Sequence, residues 1–188
     1  MTTQPEPAAS APTVYTRLVD DLDAVKARYR LIDHPPEGRT ELVSALRGHD
    51  AARAAKCIVV MVKTGKKQTR FVLAVIPGDA RLDLPAVKAL YHGTYVAFAD
   101  AGKAEQLAGS VSGTVLPMSY HPELELVIDP RLLTYPELYF NAARLDRSIA
   151  VATEDYLRMA GPRIERIAVL SAEPTGTDTR AGVCEETA

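Results

Sequence analysis

A chain of 188 residues with a formal net charge of -2 can bury one sizeable hydrophobic core but is too short for two comfortable domains. Its 47% hydrophobic and 24% charged residues exclude the disordered and fibrous classes, and the near-neutral charge confines any nucleic-acid contact to a local basic patch. Cys57 in the apolar run CIVVMV and Cys184 in a polar stretch make no disulfide framework; with no leader-like start and no long apolar run, a cytoplasmic protein is expected.

Residues 1–13, rich in Pro, Ala, Ser and Thr, and residues 171–188, which lack an apolar period, read as tails around a single domain at 14–170. Val14, Leu18, Leu22, Val25 and Tyr29 recur at helical spacing and predict an amphipathic helix through Tyr29. A strand RLIDH follows, stopped by Pro35 and Pro36. Thr40 is expected to cap ELVSALR, a helix ending at Gly48. KCIVVMVK and QTRFVLAVIPGD, joined by the basic turn TGKK, predict a hairpin of two buried strands. A helix at 84–90, a strand TYVAFA and a helix AGKAEQLA, capped by Asp100 and stopped at Gly109, come next.

The small-residue loop GSVSGTVLP then leads to three strands, LELVIDP, LYFNA and SIAVAT. Thr153 is expected to cap EDYLRMA, and RIERIAVL to close the domain. Strands and short helices mix without regular alternation, which predicts the α+β class: a mixed, mostly antiparallel, barrel-like sheet surrounded by short helices.

The signatures of a nucleophile elbow, a phosphate loop, a zinc-protease helix and a paired-cysteine site are absent from the sequence. His34, His49, His92 and His121 are scattered without ligand spacing, so neither a metal nor another cofactor is expected. Two features carry chemistry. Lys56 opens a strand whose next residues are all apolar, so its ammonium either snorkels to water or meets an anionic partner. Residues 113–117, GTVLP, form either a strand with a bulge at Gly113 or a loop whose backbone N–H groups face a pocket without side-chain bulk.

Taken together, AAKCIVVMVK, FVLAVIPGDARLDLPAV, SGTVLPMSYHPELELVIDP and YFNAARLDRSIAVATEDYLRMA resemble the YbaK family, which is similar to the editing (insertion) domain of bacterial prolyl-tRNA synthetase. The resemblance covers roughly 29–168. It implies a barrel-like α/β fold and hydrolysis, in trans, of the ester linking a wrong amino acid to a tRNA, commonly tRNA-Pro, with prolyl-tRNA synthetase as a possible partner. The family's lysine falls on Lys56 and its G-x-x-x-P loop on Gly113 and Pro117, with Thr114, Val115 and Leu116 between them at the substrate. Its aspartate falls on Asp129, and its early histidine and hydroxyl on His34 and Thr40.

The chain departs from the family where VSGTV replaces a glycine-rich E-P-G-G-type loop and Ala142-Ala143 follows the YFN strand. An aminoacyl ester is already activated, so a positioned water and stabilised oxyanion suffice without a protein nucleophile. An editing pocket must also exclude the cognate amino acid by size, which points to Ala, Ser, Thr, Cys or 2-aminobutyrate, with Ile32, Val59, Met61, Leu116 and Met118 as expected walls. Lys63, Lys66, Lys67 and Arg70 on the hairpin are expected to meet tRNA phosphates. The alternatives are a non-catalytic tRNA-binding module and a synthetase-docking domain of the same fold.

Overall fold

A computed structural model describes residues 13–66 and 68–170. The sequence-predicted tails, apart from Thr13, lie outside the described residues, as do Lys67 and Cys184. In chain order the helices are α1 (Val14–Ala24), α2 (Thr40–Arg47), α3 (Leu84–Leu90), α4 (Ala101–Ala108) and α5 (Thr153–Ala160). The strands are β1 (Tyr29–Asp33), β2 (Ala55–Lys63), β3 (Thr69–Pro77), β4 (Ala80–Leu82), β5 (Tyr95–Phe98), β6 (Leu124–Ile128), β7 (Glu137–Asn141), β8 (Arg147–Ala152), β9 (Arg163–Ile164) and β10 (Ala168–Leu170).

β2 and β3 form the expected hairpin at the centre of a five-stranded sheet ordered β5-β2-β3-β6-β9. β6 runs parallel to β3, and β9 parallel to β6; the remaining ladders are antiparallel. Both faces of this sheet are covered, which is why β2 and β3 read as continuous apolar runs rather than alternating ones. On one face Val59, Leu73, Val75 and Ile128 pack with Leu18 and Leu22 of α1, Tyr156 of α5, and Leu138, Phe140 and Ile149 of a second sheet, β1-β8-β7. On the other, Val60, Val72, Ala74 and Val127 meet Val87 of α3, Tyr91 and Ile167. The class is α+β with mostly antiparallel pairing as expected; among the described residues the ladders form three sheets, with no closed barrel.

Local differences have local causes. α1 ends at Ala24 instead of reaching Tyr29: Val25 N–H donates to the Asp21 carbonyl and Lys26 N–H to the Asp23 carbonyl, Lys26 turns the chain at φ 53°, and Tyr29 enters the ladder opposite Val151. Thr40 is the first helical residue of α2 and not its cap; the capping position is Arg39, and the Glu37 carboxylate accepts the Gly38 and Arg39 N–H groups just ahead of the helix. Thr153 likewise starts α5 after the cap at Ala152, and its hydroxyl donates to the Tyr135 carbonyl. The closing segment RIERIAVL forms two short strands, β9 beside β6 and β10 beside β4, with Ile167 buried between them.

Candidate active site

Lys56 is the second residue of β2, and its half-buried ammonium faces the carbonyls of Gly78 and Ala80 at 3.4 Å each and the Glu41 carboxylate at 3.7 Å. The head group is therefore held by oxygen atoms in the cleft between α2 and the turn after β3. Opposite it, GSVSGTVLP takes the loop form and not the strand-with-bulge form. Gly109 stops α4 in the left-handed region, and Gly113 turns the chain at φ 85°. A methyl group on Gly113 would lie 2.9 Å from Gly38 Cα and 3.2 Å from the Gly38 carbonyl oxygen, so the two loops meet backbone to backbone.

Asn141, at the end of β7 and only 7% exposed, ties these loops together. Its Nδ2 donates to the Glu37 and Gly113 carbonyls, both at 2.9 Å. Its Oδ1 accepts the Ser148 hydroxyl at 3.0 Å, and His34 Nε2 lies 2.7 Å from Ser148 Oγ while its Nδ1 lies 2.9 Å from the Pro35 carbonyl. A polar chain from His34 to Gly113 thus runs behind the loop.

Between these groups lies a cavity of ≈ 230 Å³. Its polar lining comes from Thr40, Arg47, Lys56 and Asn141, with Gly38 and Gly113 at the loops. Val43, Ala55, Cys57, Ile58, Val115 and Phe140 supply the apolar wall. Since a cavity of roughly 150 Å³ accommodates benzene, this space suits an aminoacyl group with a small side chain. The N–H groups of Gly113 and Val115 make no hydrogen bond among the described residues, which leaves two donors beside the cavity. Burial pushes the Cys57 thiol well above its ordinary range, which disfavours the thiolate that a cysteine nucleophile needs.

The sequence-predicted residues divide into three groups. Lys56, Thr40, Gly113 and Val115 line the one cavity. Thr114, Leu116 and Pro117 lie beneath it: Thr114 is buried with its hydroxyl on the Val111 carbonyl, Leu116 is core, and the Pro117 carbonyl accepts the buried Tyr156 hydroxyl at 2.6 Å. His34 sits behind the loop in the Asn141 chain. Asp129 lies elsewhere, its carboxylate accepting the N–H groups of Ile167, Ala168 and Arg131. Nor do the expected walls Ile32, Val59, Met61, Leu116 and Met118 line the cavity, which sits over the first residues of β2; Val59 and Met61 lie farther along the strand, and Leu116 and Met118 are core.

Of the hairpin cations, Lys63 and Arg70 are at the far end of the hairpin from Lys56. Lys63 follows Lys56 by seven residues of β2, about 23 Å along an extended strand, and there Lys63 lies against the Tyr95 ring while Arg70 pairs with Glu125. Sequence reasoning missed Arg47 and Asn141. The one signal for Asn141 is an amide at the end of the otherwise apolar run LYFN; Arg47 looks like any basic residue in a last helical turn. Among the described residues no three His, Cys, Asp or Glu side chains are grouped to hold a metal ion, and no helix is long and apolar enough to cross a membrane.

Comparison with known proteins points to one family. The sequence profile of the aminoacyl-tRNA editing domain matches residues 34–159. The multifunctional Ser/Thr-tRNA deacylase ProXp-y of Escherichia coli K12 is 35% identical over 157 residues, covering 83% of this chain and 93% of its own. Among solved structures, the hypothetical protein APE2540 superposes with a TM-score of 0.72 at 23% identity, over 81% of this chain and 99% of that one. A protein provisionally assigned as a trans-editing enzyme for prolyl tRNA synthetase superposes with a TM-score of 0.68 at 21% identity, over 84% and 98%. Those two share the fold, while the profile match across the cavity-forming segments from His34 to Ser148 establishes the kinship: the chain belongs to the aminoacyl-tRNA editing domain family.

Proposed function

We propose that the protein clears, in trans, tRNA misacylated with a small amino acid, serine or threonine first. The observation that carries this reading is the cavity of ≈ 230 Å³, which joins two free backbone donors and a lysine in a chain 35% identical to a Ser/Thr-tRNA deacylase. Water adds to the ester carbonyl, the Gly113 and Val115 N–H groups hold the developing oxyanion, and the acyl C–O bond breaks. The ribose oxygen leaves with a proton, giving a free amino acid and a free tRNA 3′ end. The vicinal ribose hydroxyl orients the attacking water, which is why the site needs no side-chain nucleophile. Lys56 is the anchor for a ribose or phosphate oxygen of the terminal adenosine, and the wall formed by Val43, Ile58 and Phe140 limits side-chain size.

On the resemblance to the prolyl-tRNA synthetase editing domain, the tRNA is tRNA-Pro, prolyl-tRNA synthetase is the partner, and the reaction belongs to the cytoplasm. The test is deacylation of tRNA-Pro charged separately with Ser, Thr, Ala, Cys and 2-aminobutyrate, by wild type and Lys56→Ala. Loss of a charge-assisted contact lowers kcat/KM roughly tenfold or more, so the expected result is fast clearance of one or two of these with that loss in the variant. Clearance of the same amino acids from other tRNAs only would move the tRNA assignment. No clearance of any, together with tight tRNA binding, would favour the non-catalytic module.

A further inference from the structure

Arg47 is a lining residue that nothing in the catalytic scheme uses. It closes the last turn of α2 and runs back along its own helix, Nε donating to the Val43 carbonyl at 3.1 Å. Its Nη1 is buried and has no hydrogen-bond partner among the described residues. A stranded guanidinium N–H is costly unless an acceptor arrives. Arg53 and Arg131 also have a buried unpartnered nitrogen, but each already sits beside an acid, Glu137 at 3.6 Å and Asp129 at 3.4 Å. Arg47 makes no ion pair among the described residues, and among them no carboxylate lines the cavity. Burial pulls its pKa down only to about 10, so the group stays cationic at neutral pH.

The cavity therefore presents a cation whose acceptor is missing. The aminoacyl group brings only neutral acceptors, its ester carbonyl and a side-chain hydroxyl, and its one charge is the α-ammonium, so it supplies no anion to pair with the guanidinium. The first anion along the substrate is the phosphate on the 5′ oxygen of the same terminal nucleotide, one ribose away from the ester. A guanidinium fork matches phosphate oxygens, whereas the Lys56 ammonium already faces two carbonyls and Glu41. We infer that Arg47 binds the terminal phosphodiester of the aminoacyl-tRNA and thereby sets how far the ester enters the cavity. This assignment rests on the deacylase reading above.

The experiment pairs one protein change with one substrate change. Seryl- and threonyl-tRNA are made with the usual terminal phosphodiester, or with an uncharged methylphosphonate at that single linkage. Each is then deacylated by wild type, Arg47→Met and Arg47→Lys. The methylphosphonate should lower kcat/KM of the wild type on the order of tenfold to a hundredfold. Arg47→Met should lose as much on the normal substrate and lose nothing further on the methylphosphonate, and Arg47→Lys should keep part of the discrimination. Additive losses would mean that Arg47 acts on the oxyanion or the fold instead, and would overturn the assignment. So would a wild type indifferent to the methylphosphonate, a result that needs no folded variant. A wild type inactive on every unmodified aminoacyl-tRNA overturns the deacylase reading itself, and this assignment with it.

Discussion

Gly113 and Gly38 face one another backbone to backbone: a methyl on Gly113 would come within 2.9 Å of Gly38 Cα, whereas one on Gly38 would lie 3.4 Å from Gly113 Cα. Gly113 also holds φ at 85°, where a side chain costs roughly 1–3 kcal/mol. Gly113→Ala is expected to lose about that much stability in urea unfolding and to widen the gap between the loops. Deacylation should fall mainly in kcat, since the displaced group is the Gly113 N–H donor. A Gly113→Ala protein with wild-type kcat would show that this N–H does not hold the oxyanion.

Asn141 gives a second prediction. Asn141→Ala strands the Glu37 and Gly113 carbonyls and the Ser148 hydroxyl, at roughly 1–3 kcal/mol for each buried group left unpaired. Asn141→Asp, unable to donate to the two carbonyls, should be nearly as damaging although its shape is conserved. Urea midpoints and deacylation rates for the two variants check this; a benign Asn141→Asp would mean that the amide donors do not hold the loops.

Asp129 is expected to act on stability and not on substrate binding. Its carboxylate is 1% exposed and accepts the N–H groups of Ile167 and Ala168 at 3.0 and 2.9 Å, which fastens the last strand to the end of β6. Asp129→Ala should cost roughly 1–3 kcal/mol for each stranded donor. Below its unfolding midpoint the variant should keep the wild-type KM, and a raised KM in a stably folded Asp129→Ala would return this residue to the substrate.

The hairpin cations predict a different signature. Replacing Lys63, Lys66, Lys67 and Arg70 by Gln should raise KM for aminoacyl-tRNA, leave kcat alone, and flatten the dependence of log affinity on log salt by roughly 1 for each lost phosphate contact. Lys63 sits about 23 Å along β2 from Lys56, too far to touch the ester. Filter-binding titrations at several salt concentrations measure the slope, and an unchanged slope removes the hairpin from the tRNA surface.

A pH dependence follows from Asp155. Arg28 donates to its carboxylate through both Nε and the backbone N–H at 2.8 Å, and Arg158 adds a contact at 2.8 Å. These hold its pKa down to about 2, below the ordinary carboxylate value near 3.9. A depressed folded-state pKa stabilises above the unfolded value and loses that contribution as the pH falls toward the folded one. Wild type should therefore exceed Asp155→Asn in stability at neutral pH, with the difference narrowing between about pH 4 and pH 2. Thermal unfolding across that range measures it, and a constant difference would detach the effect from ionisation.

Much of the framework is written locally and is legible without a fold. The two buried strands of the hairpin follow from β-branched runs bounded by turn residues, and Asp100 and Gly109 mark both ends of α4 by cap chemistry that needs no tertiary partner. Lys56 and Gly113 stood out because a cation heading an apolar strand and a glycine in a small-residue loop are anomalies on the page.

What packing decided is where local signals compete. The helical spacing through Val25 and Tyr29 lost to the ladder with β8, and Thr40 and Thr153 lost their capping roles because the chain path gave other residues those positions. The site residues the sequence left silent, Arg47 and Asn141, differ from their chemical peers only in what surrounds them. An asparagine becomes a loop staple when two carbonyls from distant segments converge on it, and an arginine becomes a candidate phosphate site when burial removes its water and no acid replaces it. Both conditions are properties of distances between residues far apart in the chain, so they exist only once the sheets have closed over the cavity.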